Sequence, residues 1–237
     1  MRSVCRHVIA ALALLLCSPA SAVPYPTEDQ LRAAIGEVAG MLKSEGIELE
    51  ILDARKEGLT RPLMAAGLNQ ATGVCLVFYN TRPEDGLNQF FDSLDRQDFP
   101  VILNAIAVHE ATHCIEQREA YVRKRFDKVL PPDFKRDNMT VQGYLSVVNS
   151  GALVTWSEAL ADIASVLYVK RTVPGQWVRL SNRIAAMRRD LAWKWREHDT
   201  SAWLHKIIAA DIGEAEKQSA SLFETAFQLR RQYRPSE

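Results

Sequence analysis

The clearest periodic signal in the chain runs from Thr27 to Gly46. Leu31, Ile35, Val38 and Leu42 recur at helical spacing. Thr27 and Gln30 stand where a capping box needs them, and Gly46 where a helix stops. The pattern then switches. Ile47-Glu48-Leu49-Glu50-Ile51 alternates apolar and acidic positions, and Val74 to Tyr79 is a β-branched and aromatic run between Gly73 and Asn80. Both predict strands. Leu63 to Leu68, between them, reads as a helical turn or two. Pro83 to Gly86 reads as a loop and Leu87 to Leu94 as a short amphipathic piece.

Asp98-Phe99-Pro100 then predicts the start of a long helix reaching about Phe126, with Asp98 as its cap and Pro100 in the first turn. Pro131-Pro132 closes that region, and a polar stretch from Asp133 to Thr140 follows. Helical patterning resumes near Gln142 with a break at Gly151, and Trp156 to Lys170 is strongly helical up to Pro174-Gly175. Two further apolar stripes follow: Trp177, Leu180, Ile184, Leu191 and Trp195, then Leu222, Ala226, Leu229 and Tyr233. Stripes of this kind are packing faces. The expected class is α+β and mainly helical, with a small N-terminal sheet against a helical body.

The first 22 residues stand apart from this pattern. Arg2, Arg6 and His7 precede an apolar run from Val8 to Leu16, and Ala20-Ser21-Ala22 supplies small residues at a peptidase's spacing. Together they predict a secretory signal peptide cleaved after Ala22. The apolar run is too short for a bilayer helix, which needs about 20 residues. Residues 23–237 then form a single domain, secreted or periplasmic, with no membrane span after cleavage.

Composition narrows the function classes. The whole chain carries 29 basic and 29 acidic residues, and loss of Arg2 and Arg6 leaves 27 against 29. This balance argues against nucleic acid as a partner, since phosphate neutralisation needs a basic excess or a clustered basic face. Arg188-Arg189, Arg230-Arg231 and Arg123-Lys124-Arg125 read as solvated helix faces. Cleavage also removes Cys5 and Cys17, so Cys75 and Cys114 remain, either bridged or with Cys114 a buried free thiol.

The rare residues carry the chemistry. Four histidines remain after cleavage, and two fall in His109-Glu110-Ala111-Thr112-His113, an H-E-x-x-H motif inside the long predicted helix. Positions i and i+4 share a helix face, so both imidazoles can reach one Zn²⁺ at about 2.0–2.1 Å. Glu110 projects about 100° around the axis, beside the metal, where it can act as general base toward water. The alternative is a pair of hydrogen-bonded core histidines. Val101, Ile102, Leu103, Ile106 and Val108 make the preceding helix almost wholly apolar, so burying two His and a Glu there is costly without a partner such as a metal. A His ligand six residues beyond His113, as in metzincins, is missing: that position is Glu119, and no Gly turns the chain.

A further acid pair lies in Trp156-Ser157-Glu158-Ala159-Leu160-Ala161-Asp162. With the H-E-x-x-H helix, this E-x-x-A-D pattern resembles the gluzincin class of zinc metallopeptidases. The resemblance covers these two helices, and Ser157 departs from the Asn that many thermolysin-like members carry before the glutamate. It implies a zincin-like fold, with Glu158 as third zinc ligand and Asp162 accepting a hydrogen bond from a liganding histidine, His109 first. It also implies zinc-dependent hydrolysis of a peptide or protein substrate, with Glu110 as base. Tyr144, Tyr168, His198 and His205 are the residues able to stabilise an oxyanion. A catalytically silent zincin-fold binding or accessory protein of the cell envelope is the alternative, and an intact Glu110 favours the enzyme.

Overall fold

A computed structural model describes residues 25–84, 87–135 and 137–235; the signal-peptide expectation and the end of the 83–86 loop lie outside them. Helix α1 (Glu28–Ser44) has the capping box expected at Thr27, with reciprocal bonds to Gln30, and buries Leu31, Ile35, Val38 and Leu42. Strands β1 (Leu49–Asp53), β2 (Met64–Leu68) and β3 (Cys75–Tyr79) form a sheet in the order β1-β3-β2. β3 pairs parallel with β1 and antiparallel with β2. Short α2 (Asn88–Asp92) precedes the long α3 (Phe99–Tyr121), which is followed by α4 (Phe126–Val129), α5 (Val141–Asn149) and α6 (Val154–Thr172). After a 3₁₀ turn come α7 (Trp177–Leu191), a second 3₁₀ turn at Arg196–His198, α8 (Ser201–Ala209), α9 (Gly213–Gln218) and α10 (Leu222–Gln232). The fold is therefore mainly helical with one small three-stranded sheet. No single helix among the described residues is long and apolar enough to cross a membrane.

Three expectations are corrected. The segment expected to be helical is largely strand β2, Met64–Leu68, since pairing with β3 and packing on α3 override the helical look of Met64-Ala65-Ala66. The long helix stops at Tyr121, and Lys124 takes a positive φ of 54° in the turn beyond it. Asp98 does not cap that helix with its side chain. Its carboxylate instead takes a bidentate pair from Arg179 of α7 at 2.6 and 2.7 Å, and two charge-assisted bonds outweigh one backbone cap.

α3 is the axis of the molecule. It is apolar on most sides because it is flanked by α1, β2 and α6, the condition under which a helix loses its polar face. Ile102, Leu103, Ala107, Val108, Ala111 and Ile115 are all buried. Each large aliphatic side chain among them contributes roughly 1.5–3 kcal/mol. α6 lies against α3 on one side and α7, α8 and α10 on the other, which explains why it too is buried along most of its length. Cys75 at the start of β3 is disulfide-bonded to Cys114 on α3, with Cα atoms 5.7 Å apart. The bridge fastens the central strand to the helix one residue after His113.

Candidate metal centre

Helix geometry brings His109 and His113 to one face of α3, and the α3–α6 contact sets Glu158 opposite them. His109 Nε2 and His113 Nε2 stand 3.3 Å apart. Glu158 Oε2 is 3.4 Å from the first and Glu158 Oε1 is 3.5 Å from the second. One ligand atom from each residue fits within 4.8 Å of the others. Two tetrahedral ligands bonded at about 2.0–2.1 Å lie roughly 3.3 Å from each other, so the triangle is the size a small divalent cation requires.

The surrounding hydrogen bonds point the same way. His109 Nδ1 meets Asp162 Oδ1 at 2.8 Å, deep in the protein. A carboxylate can only accept, so Nδ1 carries a proton, and it is Nε2 that gives up its proton to turn a lone pair toward His113 and Glu158 when a metal takes its place. Glu158 Oε2 is buried without a well-aligned hydrogen bond, although His109 Nε2, Arg188 Nη2 and His198 Nδ1 surround it at 3.2–3.4 Å. Lone pairs and a carboxylate converging on one point need a positive charge there.

Burial and neighbouring charges shift the proton affinities of these groups. Burial opposes charge on His109, yet the Glu158 carboxylate, helped by Asp162, raises its pKa to about 10. Burial lowers that of His113. Burial would raise Glu158 and Asp162, but His109 beside Glu158, and Arg188 with His109 beside Asp162, hold both below the usual carboxylate range. Glu110 keeps some contact with solvent, but it is enclosed closely enough that burial lifts its pKa to about 7. A carboxylate poised there is suited to exchanging protons near neutrality.

Comparison of the chain with protein-family models, curated proteins and solved structures finds no match.

Each of the sequence-derived residues His109, Glu110, His113, Glu158 and Asp162 lies at this one place. All of them line a cavity of about 340 Å³. Its walls are chiefly apolar and come from β2, α2, α3 and α7, with Met64, Phe90, Ile106, Ile184, Met187 and Leu191 among them. Of the residues offered for an oxyanion, His198 lines the cavity and lies against Glu158. Tyr168 accepts a hydrogen bond from Asn104, Tyr144 lines a different cavity, and His205 is exposed on α8.

Arg188 is the residue that sequence reasoning missed. Reading its doublet as a solvated face is wrong for this member. Its side chain is only 14% exposed, with Nη2 2.6 Å from Asp162 Oδ1 and 3.2 Å from Glu158 Oε2. Burial disfavours its charge, but Asp162 and Glu158 push its pKa up. Nη2 is also 3.0 Å from His109 Nδ1. That nitrogen donates to Asp162, so the proximity is electrostatic. Thr200 Oγ1 donates to the other Asp162 oxygen. Arg230 departs from the solvated-face reading as well, being 0% exposed. A local signal for Arg188 did exist: it continues the Leu180, Ile184 and Leu191 stripe closely enough to face inward.

Proposed function

We propose that this chain is a zinc-dependent metallopeptidase of the gluzincin type, with a zincin-like arrangement of sheet and active helix. The single observation that carries the reading is the buried His109–His113–Glu158 triangle with Glu110 beside it in an open apolar cleft. A metal-only structural site would be closed by a fourth protein ligand, whereas a hydrolytic one keeps a position open. Two imidazoles and a carboxylate suit Zn²⁺ among the common divalent ions. Bound there, it would supply a Lewis acid that polarises a carbonyl and acidifies water.

The protein's own groups perform the remaining tasks. Glu110, with its pKa near neutrality, accepts a proton from the attacking water and delivers it to the leaving amine nitrogen. Arg188 and His198 are donors in the cleft, beside Glu158, able to meet negative charge developing on the carbonyl oxygen. Asp162 holds the His109 tautomer. The cavity accommodates an apolar side chain next to the scissile bond. Export to the periplasm or the medium is supported by the signal-like N-terminus and by the Cys75–Cys114 disulfide, a bond that persists in oxidising compartments.

The test joins metal quantification to a peptide-library assay. The wild type should hold one zinc per chain and cleave, and Glu110→Gln should hold the same zinc with at least about 10²-fold lower kcat. A zinc-loaded wild type that cleaves no faster than Glu110→Gln would remove the enzyme reading. A chain that retains no zinc and unfolds identically in chelator would remove the metal reading too.

A further inference from the structure

His109 has the Asp162 carboxylate at its Nδ1; at His113 Nδ1 the neighbour is a hydroxyl. It belongs to Ser157, whose Oγ lies 3.2 Å from His113 Nδ1 and 2.5 Å from Glu116 Oε2. Glu116 Oε1 in turn lies 2.6 Å from Arg230 Nη1. These contacts fix the proton positions. The Glu116 carboxylate can only accept, so the single serine proton is directed at it. Ser157 Oγ therefore offers His113 only lone pairs, and His113 Nδ1 must carry the hydrogen. Its Nε2 is left as a lone pair facing His109 Nε2 and Glu158 Oε1.

We propose that Ser157, Glu116 and Arg230 form a positioning chain that fixes the tautomer and orientation of His113 as a metal ligand. This rests on the metal-centre reading above. Arg230 is what holds the chain in register. The same Nη1 that bonds Glu116 donates to the Trp156 carbonyl at 2.9 Å, and the guanidinium lies 4.2 Å above the Trp156 ring. Arg230 thus ties α3, through Glu116, to the first turn of α6, where Trp156, Ser157 and Glu158 follow one another. A fully buried ion pair is a poor device for stability, because an apolar pair of similar volume is often as good or better. Its place directly behind a ligand gives it another purpose. Carboxylates held behind liganding histidines typically change metal affinity by about 10–100-fold.

Ser157→Ala removes the hydroxyl and leaves the Glu116–Arg230 pair intact, so it separates positioning from folding. Zinc affinity of the full chain is measured by chelator competition, the His113 tautomer by imidazole ¹⁵N shifts in metal-free and zinc-loaded protein, and stability by thermal unfolding. Ser157→Ala should weaken zinc by about 10–100-fold and release His113 from its Nδ1–H form, with the metal-free unfolding midpoint close to wild type. Ser157→Thr, which keeps the hydroxyl, should restore both. Glu116→Gln combined with Arg230→Met, which removes the buried charges together, should weaken zinc in the same direction. Affinity within twofold of wild type and unchanged His113 nitrogen shifts in Ser157→Ala would overturn the positioning chain and leave the metal centre standing. A wild type without zinc affinity would instead overturn the metal centre, and the chain's role with it.

Discussion

Arg188 and the proton on His109 are positive charges that serve Glu158 and Asp162, and a metal bound as proposed would have to compete with both. The His109 pKa is raised from 6.5 to about 10, so its contribution to the stability of the metal-free chain is fully present below pH 6.5 and is lost as pH rises through 10. Metal binding as proposed would displace that proton. Between pH 6.5 and 10 the apparent zinc affinity should therefore climb by close to tenfold per pH unit, read by chelator competition. A flat profile over that range would mean that His109 is not the protonated ligand. Arg188→Met removes the other competitor. The metal-free protein should lose about 3–5 kcal/mol, the usual cost of stranding a buried charge partner, while zinc restores most of the loss and binds at least as tightly as in wild type. Unfolding with and without zinc tests this. A variant equally destabilised in both states would place Arg188 in general packing.

At the scale of elements, the contact between α3 and α6 creates the centre, and the Cys75–Cys114 bridge stabilises one side of it. Cys75 and Cys114 lie 39 residues apart in sequence, and closing a loop of that size stabilises the fold by about 4 kcal/mol in the chain-entropy view. Cys75→Ser with Cys114→Ser should lower stability by roughly 2–4 kcal/mol without removing the histidines or Glu158, so zinc stoichiometry should stay at one. Denaturant unfolding and metal quantification together check it. Element boundaries show where sequence patterning was insufficient. α1 was legible to the residue because its cap is local, with Thr27 and Gln30 bonding each other. β2 was not, because nothing in Met64-Ala65-Ala66-Gly67-Leu68 states that it will pair with β3. Asp98 looked like a cap from its neighbours and serves Arg179, 81 residues away.

For the molecule as a whole, the last helix closes the core behind the centre. α10 buries Leu222, Phe223, Phe227 and Leu229 and inserts Arg230 between α3 and α6. Four such side chains amount to roughly 6–12 kcal/mol of apolar burial, comparable to the entire stability of an ordinary domain, about 5–15 kcal/mol. A chain ending at Ser221 should therefore fail to fold cooperatively and retain no zinc, seen as loss of the thermal transition and of bound metal. A truncated chain that still unfolds cooperatively with one zinc would show that α10 is an accessory.

The sequence by itself determined which helix faces carry the candidate ligands, while the pairing of Glu158 with the two histidines came only as what the resemblance to gluzincins implies. His109, His113 and Glu110 are related by helix periodicity, and Glu158 and Asp162 by the same periodicity on a second helix, so local geometry sufficed to place each pair on a face. It also determined the helical body, since apolar spacing is a local property. Tertiary structure alone decided which charges those faces meet. Arg188 comes from α7 and Arg230 from α10; helix spacing turns Arg188 inward, but the acidic partners of both are set only by packing against α3 and α6. Spacing places the candidate ligands on their helix faces, while the charges beside them come from contacts between residues 26 to 114 apart, whose partners no local pattern encodes.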